Sequence, residues 1–185
     1  MALATAQRAI DQDASDPWAH FAAGYVYIVL RKFRPALDEL NESIERNPNF
    51  AMAHMMRGCA YAYGGFGDEG LKHLAVATRL SPRDHTQPAN FSITGLCHFI
   101  ARRFDEAVAF EQRAIQLRPN FGTALRTLAS AAALAGDQET AVAALGEAKR
   151  PQPNLTVDWV EKYQPIVRAE DRALYVEGLR KAGLT

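Results

Sequence analysis

The chain has 185 residues, enough for one well-cored domain, and its 21 Lys+Arg offset its 21 Asp+Glu, so no basic face for nucleic acid or an anionic membrane is indicated. Two cysteines, Cys59 and Cys97, are too few for a disulfide framework and fit a reducing, cytoplasmic setting. The longest apolar run, Phe21 to Leu30, spans 10 residues against the roughly 20 of a bilayer span, and the opening MALATAQRAIDQD lacks the basic-then-apolar order of a secretion signal.

Prolines punctuate the chain. Pro48, Pro82, Pro119 and Pro153 stand 34, 37 and 34 residues apart, and two of them open the triplet PNF, at Pro48 to Phe50 and at Pro119 to Phe121. The longer step has three extra residues in SPRDHTQPANF, between Ser81 and Phe91. Between prolines, apolar residues recur with helical spacing. The spacing predicts helices over 17–30 and 33–46, 51–63 and 67–80, 87–101 and 104–117, and 121–134 and 138–150. A fixed period of this length marks stacked helical hairpins.

Close crossing of two helices requires a small residue at the contact. With each proline set at position 32 of its unit, position 8 reads Gly24, Gly58, Gly95 and Ala129; position 20 reads Ala36, Gly70, Ala107 and Ala141; position 27 reads Ser43, Ala77, Ala114 and Ala148. Every one is small, although the frame was set by prolines elsewhere.

In the same frame Ala2 and Ala9 occupy positions 20 and 27, so residues 1–16 read as the second helix of a truncated leading repeat. The expectation is a chain that starts inside a repeat, as a fragment of a longer protein. Full units are expected at 17–50, 51–84, 88–121 and 122–154, with capping helices in 155–185. There Pro165 breaks the pattern, and a last helix over 169–182 is expected to cover the last repeat, with Leu174, Val176 or Tyr175, and Leu179 on its apolar face.

These columns, and RRFDEAVAFEQRAIQLRPNF above all, resemble the tetratricopeptide repeat (TPR) family over residues 1–154. The resemblance implies an all-α, right-handed superhelix of helical hairpins. Departures fall at position 7, where Arg57 and Thr94 replace a large apolar residue, and at position 11, where Tyr27 and Tyr61 give way to His98 and Ala132. The closing RAEDRALYVEGLRKAGL resembles the end of C-terminal TPR arrays in bacterial class III adenylate/guanylate cyclases and winged-helix regulators. That likeness implies a regulatory part of a signalling protein, with any cyclase activity in an upstream domain.

In a TPR array, positions 2, 5, 9 and 12 of each first helix line a concave groove. Here they are Trp18, Phe21, Tyr25 and Ile28; Met52, Met55, Cys59 and Ala62; Ala89, Ser92, Leu96 and Phe99; and Thr123, Arg126, Ser130 and Ala133. The candidate partner-binding residues are Trp18, Phe21, Tyr25, Ile28, Met52, Met55, Cys59, Leu96, Phe99 and Arg126. Such an apolar stripe suits the apolar face of a partner helix, a second copy in a homodimer, or a small hydrophobic ligand. Arg126 is the one basic residue in these columns, too little for a clamp on a peptide carboxylate.

No catalytic residue, metal site or cofactor is expected. GFGDEG, Gly65 to Gly70, matches the dinucleotide fingerprint but follows a helix where a strand is needed. His20 and His54 share position 4 without further ligands at close spacing, and the carboxylates sit on solvated helix faces. The reading is therefore a non-catalytic protein-interaction scaffold. The alternatives are a small-molecule sensor and an enzyme built around Cys59, His54 and His98.

Overall fold

The computed structural model describes residues 2–82 and 85–185. Arg83 and Asp84, inside the segment assigned three extra residues, lie outside the described residues. All regular structure among the described residues is helical: α1 (Ala2–Gln12), α2 (Pro17–Val29), α3 (Phe33–Arg46), α4 (Ala51–Tyr63), α5 (Gly67–Leu80), α6 (Gln87–Ile100), α7 (Phe104–Leu117), α8 (Gly122–Ala135), α9 (Gln138–Lys149), α10 (Val157–Tyr163) and α11 (Ala169–Lys181). Helices α2 to α9 pair as four antiparallel hairpins, each packed on the next, and α1 leans on α2.

Local chemistry places the breaks. Asp16 caps α2, its carboxylate accepting from the Trp18 N–H with Pro17 in the first turn. Asp137 caps α9 through the Thr140 N–H. The PNF triplet is a β-turn, with the Phe50 N–H donating to the Asn47 carbonyl at 3.0 Å and the Phe121 N–H to the Arg118 carbonyl at 3.1 Å. Pro153 and Asn154 repeat it, with the Leu155 N–H on the Gln152 carbonyl at 3.0 Å. Each turn delivers an apolar residue to the entry of the next segment, and Phe50 and Leu155 are buried there.

The small residues mark the crossings inside each hairpin. A Cβ on Gly24 would lie 2.6 Å from Leu40 Cγ, and one on Gly58 would lie 2.8 Å from Leu74 Cγ and 3.0 Å from the Gly70 carbonyl oxygen. A Cβ on Gly70 would lie 2.6 Å from Cys97 Sγ, and one on Gly67 only 2.2 Å from the Cys97 carbonyl oxygen. Gly67 and Gly70 of GFGDEG therefore serve the α5–α6 contact.

The last segment departs from the solenoid. Thr156 caps α10, where the first helix of a further unit would begin, but α10 ends after 7 residues just ahead of Pro165. The chain then turns back. Helix α11 packs against α8, and only marginally against α9. It lies along α8, the first helix of the last unit. Its buried face is Tyr175, Val176 and Leu179.

Gly58→Leu is expected to destabilise the chain by about 3 kcal/mol or more, since both a side chain and a carbonyl block the added atoms. Gly146→Ala, on an exposed face of α9 with open space around it, is expected to add about 0.5–1 kcal/mol. Urea denaturation followed by circular dichroism checks both.

Candidate functional site

Of the sixteen side chains in the groove columns, those of the first helix stay most open. Trp18 and Tyr25 are 55% and 51% exposed, and Phe21 and Met52 are partly buried. Trp18 packs on Phe21 and Phe50, with ring centroids 5.7 and 4.5 Å away, so this open end is a rigid aromatic corner. Val29 and Leu30 extend the exposed apolar surface of α2 and its end. Ile28, Met55, Cys59, Leu96 and Phe99 are buried. They belong to one apolar cluster with Leu155, Val157, Val160, Ile166, Tyr175 and Leu179 from the C-terminal segment.

The C-terminal segment fills the other end. The guanidinium of Arg126 lies over the Trp159 ring, 5.1 Å from its centroid. The Tyr175 ring meets Phe99 edge-on at 5.4 Å. Ser130 Oγ donates to the Tyr175 carbonyl at 2.9 Å, and Tyr175 Oη lies 3.3 Å from Thr127 Oγ1. Gly178 is required by this approach, because a Cβ there would lie 2.3 Å from Ser130 Oγ.

Between α10 and α11 the chain runs as a strap past the hairpin turns. The Val167 N–H donates to the Tyr63 carbonyl at 2.8 Å, and Arg168 Nη1 donates to the Gly65 carbonyl at 3.0 Å. Arg31 donates to the carbonyls of Glu161 and Gln164 at 2.5 and 2.8 Å. Arg102 Nη2 pairs with Oδ1 of the buried Asp171 at 2.6 Å.

Arg31, Gly65, Arg102 and Gly136 share position 15, the turn inside each hairpin, and all have positive φ: 57°, 90°, 63° and 91°. Glycine adopts this conformation without steric cost, whereas an arginine gives up about 1–2 kcal/mol. Two turns thus carry a strained arginine, and both arginines hold the strap or α11. Neither was among the sequence candidates, nor were Tyr63, Thr127 and Gly178. The two arginines stand in the sequence at a position where the other units have glycine, and that alternation was the available signal.

Below α11 lies an anomaly. Position 24 reads Leu40, Leu74, Glu111 and Leu145. Glu111 is fully buried against Gly95, and neither carboxylate oxygen has a hydrogen-bond partner; the Ser92 hydroxyl approaches without completing one. Burial pushes its carboxyl well above the ordinary range, so it is held neutral.

The remaining candidates have separate partners. His20 Nδ1 meets Glu39 Oε2 at 2.8 Å, and His54 Nε2 meets the Pro48 carbonyl at 3.0 Å. His98 Nδ1 accepts from Arg103, and its ring stacks on Phe110. Cys59, His54 and His98 make no hydrogen bond to one another among the described residues. Burial pushes the Cys59 thiol up to about 12 and Cys97 higher still, the reverse of what activates a nucleophile. Among the described residues no group of three or more His, Cys, Asp and Glu could hold a metal ion, and no helix is long and apolar enough to cross a membrane. The cavity beside Met55 is about 40 Å³, small against the ~300–1,000 Å³ of organic-ligand pockets.

No protein-family model matches the chain, and no curated protein does. Solved structures match it with the TPR fold. PilW, described as a widely conserved type IV pilus biogenesis factor, superposes with a TM-score of 0.73 at 19% identity, over 93% of this chain and 80% of that one. TTC0263, a thermophilic TPR protein of Thermus thermophilus, gives 0.71 at 21% identity over 96% and 89%. YrrB, described as a TPR protein with an unusual peptide-binding site, gives 0.58 at 18% over 96% and 90%. The fold of this chain is thus a TPR solenoid.

Glu111→Leu, which restores the leucine of the other units, is expected to stabilise the chain by about 1–3 kcal/mol at neutral pH. The unfolded chain releases this proton near 4.5 while the folded chain keeps it. Wild-type stability should therefore fall as pH rises above about 4.5, until the buried carboxyl itself ionises, and the variant should lose that slope. Thermal melts across this range check both.

Proposed function

We propose that the chain is a non-catalytic protein-interaction module whose inner face, at its first two repeats, binds the apolar face of a partner helix or peptide. The observation that carries this reading is the exposure of Trp18 and Tyr25, 55% and 51%, beside Phe21 and Met52, while Phe99 and Arg126 of the same columns meet the chain's own tail. Large aromatics held rigid in a concave surface are the usual anchors of protein interfaces. The peptide-binding site for which YrrB is described supports this use of the fold.

The elevated thiol pKa values of Cys59 and Cys97 favour binding over a cysteine-based enzyme. Filling of the inner groove by the tail leaves a sensor for small apolar ligands less favoured than a macromolecular partner. The likeness of RAEDRALYVEGLRKAGL to the end of cyclase and regulator arrays supports a regulatory role inside a bacterial, cytoplasmic signalling protein.

The test is selection of binders from a displayed library of helical peptides. Trp18→Glu/Tyr25→Glu, two exposed sites, is expected to weaken the selected peptides at least tenfold in a chain that still melts cooperatively. A homodimer using the same face would dissociate in the same variant. Undiminished binding and assembly would refute the assignment.

A further inference from the structure

The tail is seated on the inner face of the last two units by contacts more selective than apolar covering requires. Four of its residues meet the face in a fixed order along α11. Asp171 meets Arg102 at 2.6 Å. Four residues on, Tyr175 meets Phe99 and Thr127. Three further, Gly178 lets α11 approach Ser130, and Leu179, next to it, is fully buried. Ser130 also donates to a main-chain carbonyl of α11, a contact that any helix in this place could accept.

Other observations mark this contact as displaceable. Gln164 Nε2, Asp171 Oδ2 and Arg126 Nε are buried there without a hydrogen-bond partner, and Arg168 Nε stays 3.7 Å from Asp171 Oδ2. A seal with unsatisfied polar atoms is weaker than its apolar area suggests. The latches Arg31 and Arg102 hold a backbone conformation that the equivalent glycines, Gly65 and Gly136, adopt freely. Covalent attachment supplies what the contacts lack, because a short strap holds α11 at a high effective concentration over its seat.

We infer that α11 is a stand-in for a partner helix. The inner face of the third and fourth units accepts, in place of α11, an amphipathic helix of another protein with an acid, an aromatic four residues later, a glycine three after that and a leucine adjoining it. Arg102 reads the acid, Phe99 and Thr127 read the aromatic, and Ser130 excludes any side chain at the glycine. The tail is then a built-in competitor, and anything that loosens the strap exposes the seat. This inference rests on the reading of the chain as a binding module, and it extends the partner surface from the open end to the covered one.

The test uses the full chain and a fluorescein-labelled peptide of residues 169–184. The wild-type chain should bind it weakly. Arg31→Ala, which frees the strap at Glu161 and Gln164 without touching α11, should bind it at least tenfold more tightly. The peptide carrying Gly178→Val should lose that gain. Equal binding by wild type and Arg31→Ala, or equal binding of the two peptides, would overturn the inference. Should Arg31→Ala not melt cooperatively, Tyr175→Ala/Leu179→Ala in the full chain vacates the same seat, and absence of peptide binding to that folded variant overturns it equally. Dimerisation of the loosened chain would assign the seat to the tail of a second copy, against a foreign helix. Trp18→Glu/Tyr25→Glu should leave this exchange unchanged. Loss of library-selected peptides with exchange intact supports both surfaces, and exchange lost alone refutes only the covered one.

Discussion

The structure depends on how near two helices may come inside a hairpin. Where Gly24 faces Leu40 and Gly58 faces Leu74, the leucine occupies the space that a Cβ would need. The leucine is thereby locked between the axes, and the hairpin has one crossing geometry. Repetition of that geometry every 34 to 37 residues aligns the first helices and turns their inner faces into a continuous concave wall. Glu111, in the place of that leucine opposite Gly95, keeps the geometry and loses the apolar contact. The third unit therefore contributes less stability than its shape implies.

A concave apolar wall has to be covered by something. Here the chain supplies part of the cover itself. Helix α10 starts where a further repeat would start and stops short, so the backbone leaves the solenoid direction. It crosses to the turn of the first unit and then passes the turns of the first three units in order, held by Arg31, Tyr63, Gly65 and Arg102. Trp18 and Tyr25 stay exposed, while Phe99 and Arg126 meet Tyr175 and Trp159 of the tail.

The solenoid was legible because its cause is local and periodic. Prolines fix the turns, and small residues recur at each crossing, so every unit repeats the evidence. The path of the tail was not legible. Arg31 and Gln164 are 133 residues apart, and no local pattern announces such a contact. The apolar face of α11 was read as Leu174, Val176 or Tyr175, and Leu179, of which Leu174 is only half-buried, and the surface it would meet could not be read. Of the ten groove candidates, Trp18 and Tyr25 are open, while Phe99 lies under Tyr175 and Arg126 is taken up by Trp159. What did stand in the sequence, unread, were the arginines at the left-handed turn position and the acid in a leucine column.

The central claim is that the C-terminal helix lies inside the curve of the repeats. Proton nuclear Overhauser spectroscopy of the full chain tests it most directly, through the ring protons of Phe99 and Tyr175, whose centroids are 5.4 Å apart. Strong cross-peaks between the two rings are expected. Their absence, with residues 169–181 exchanging their amide protons as fast as a free peptide, would contradict the account.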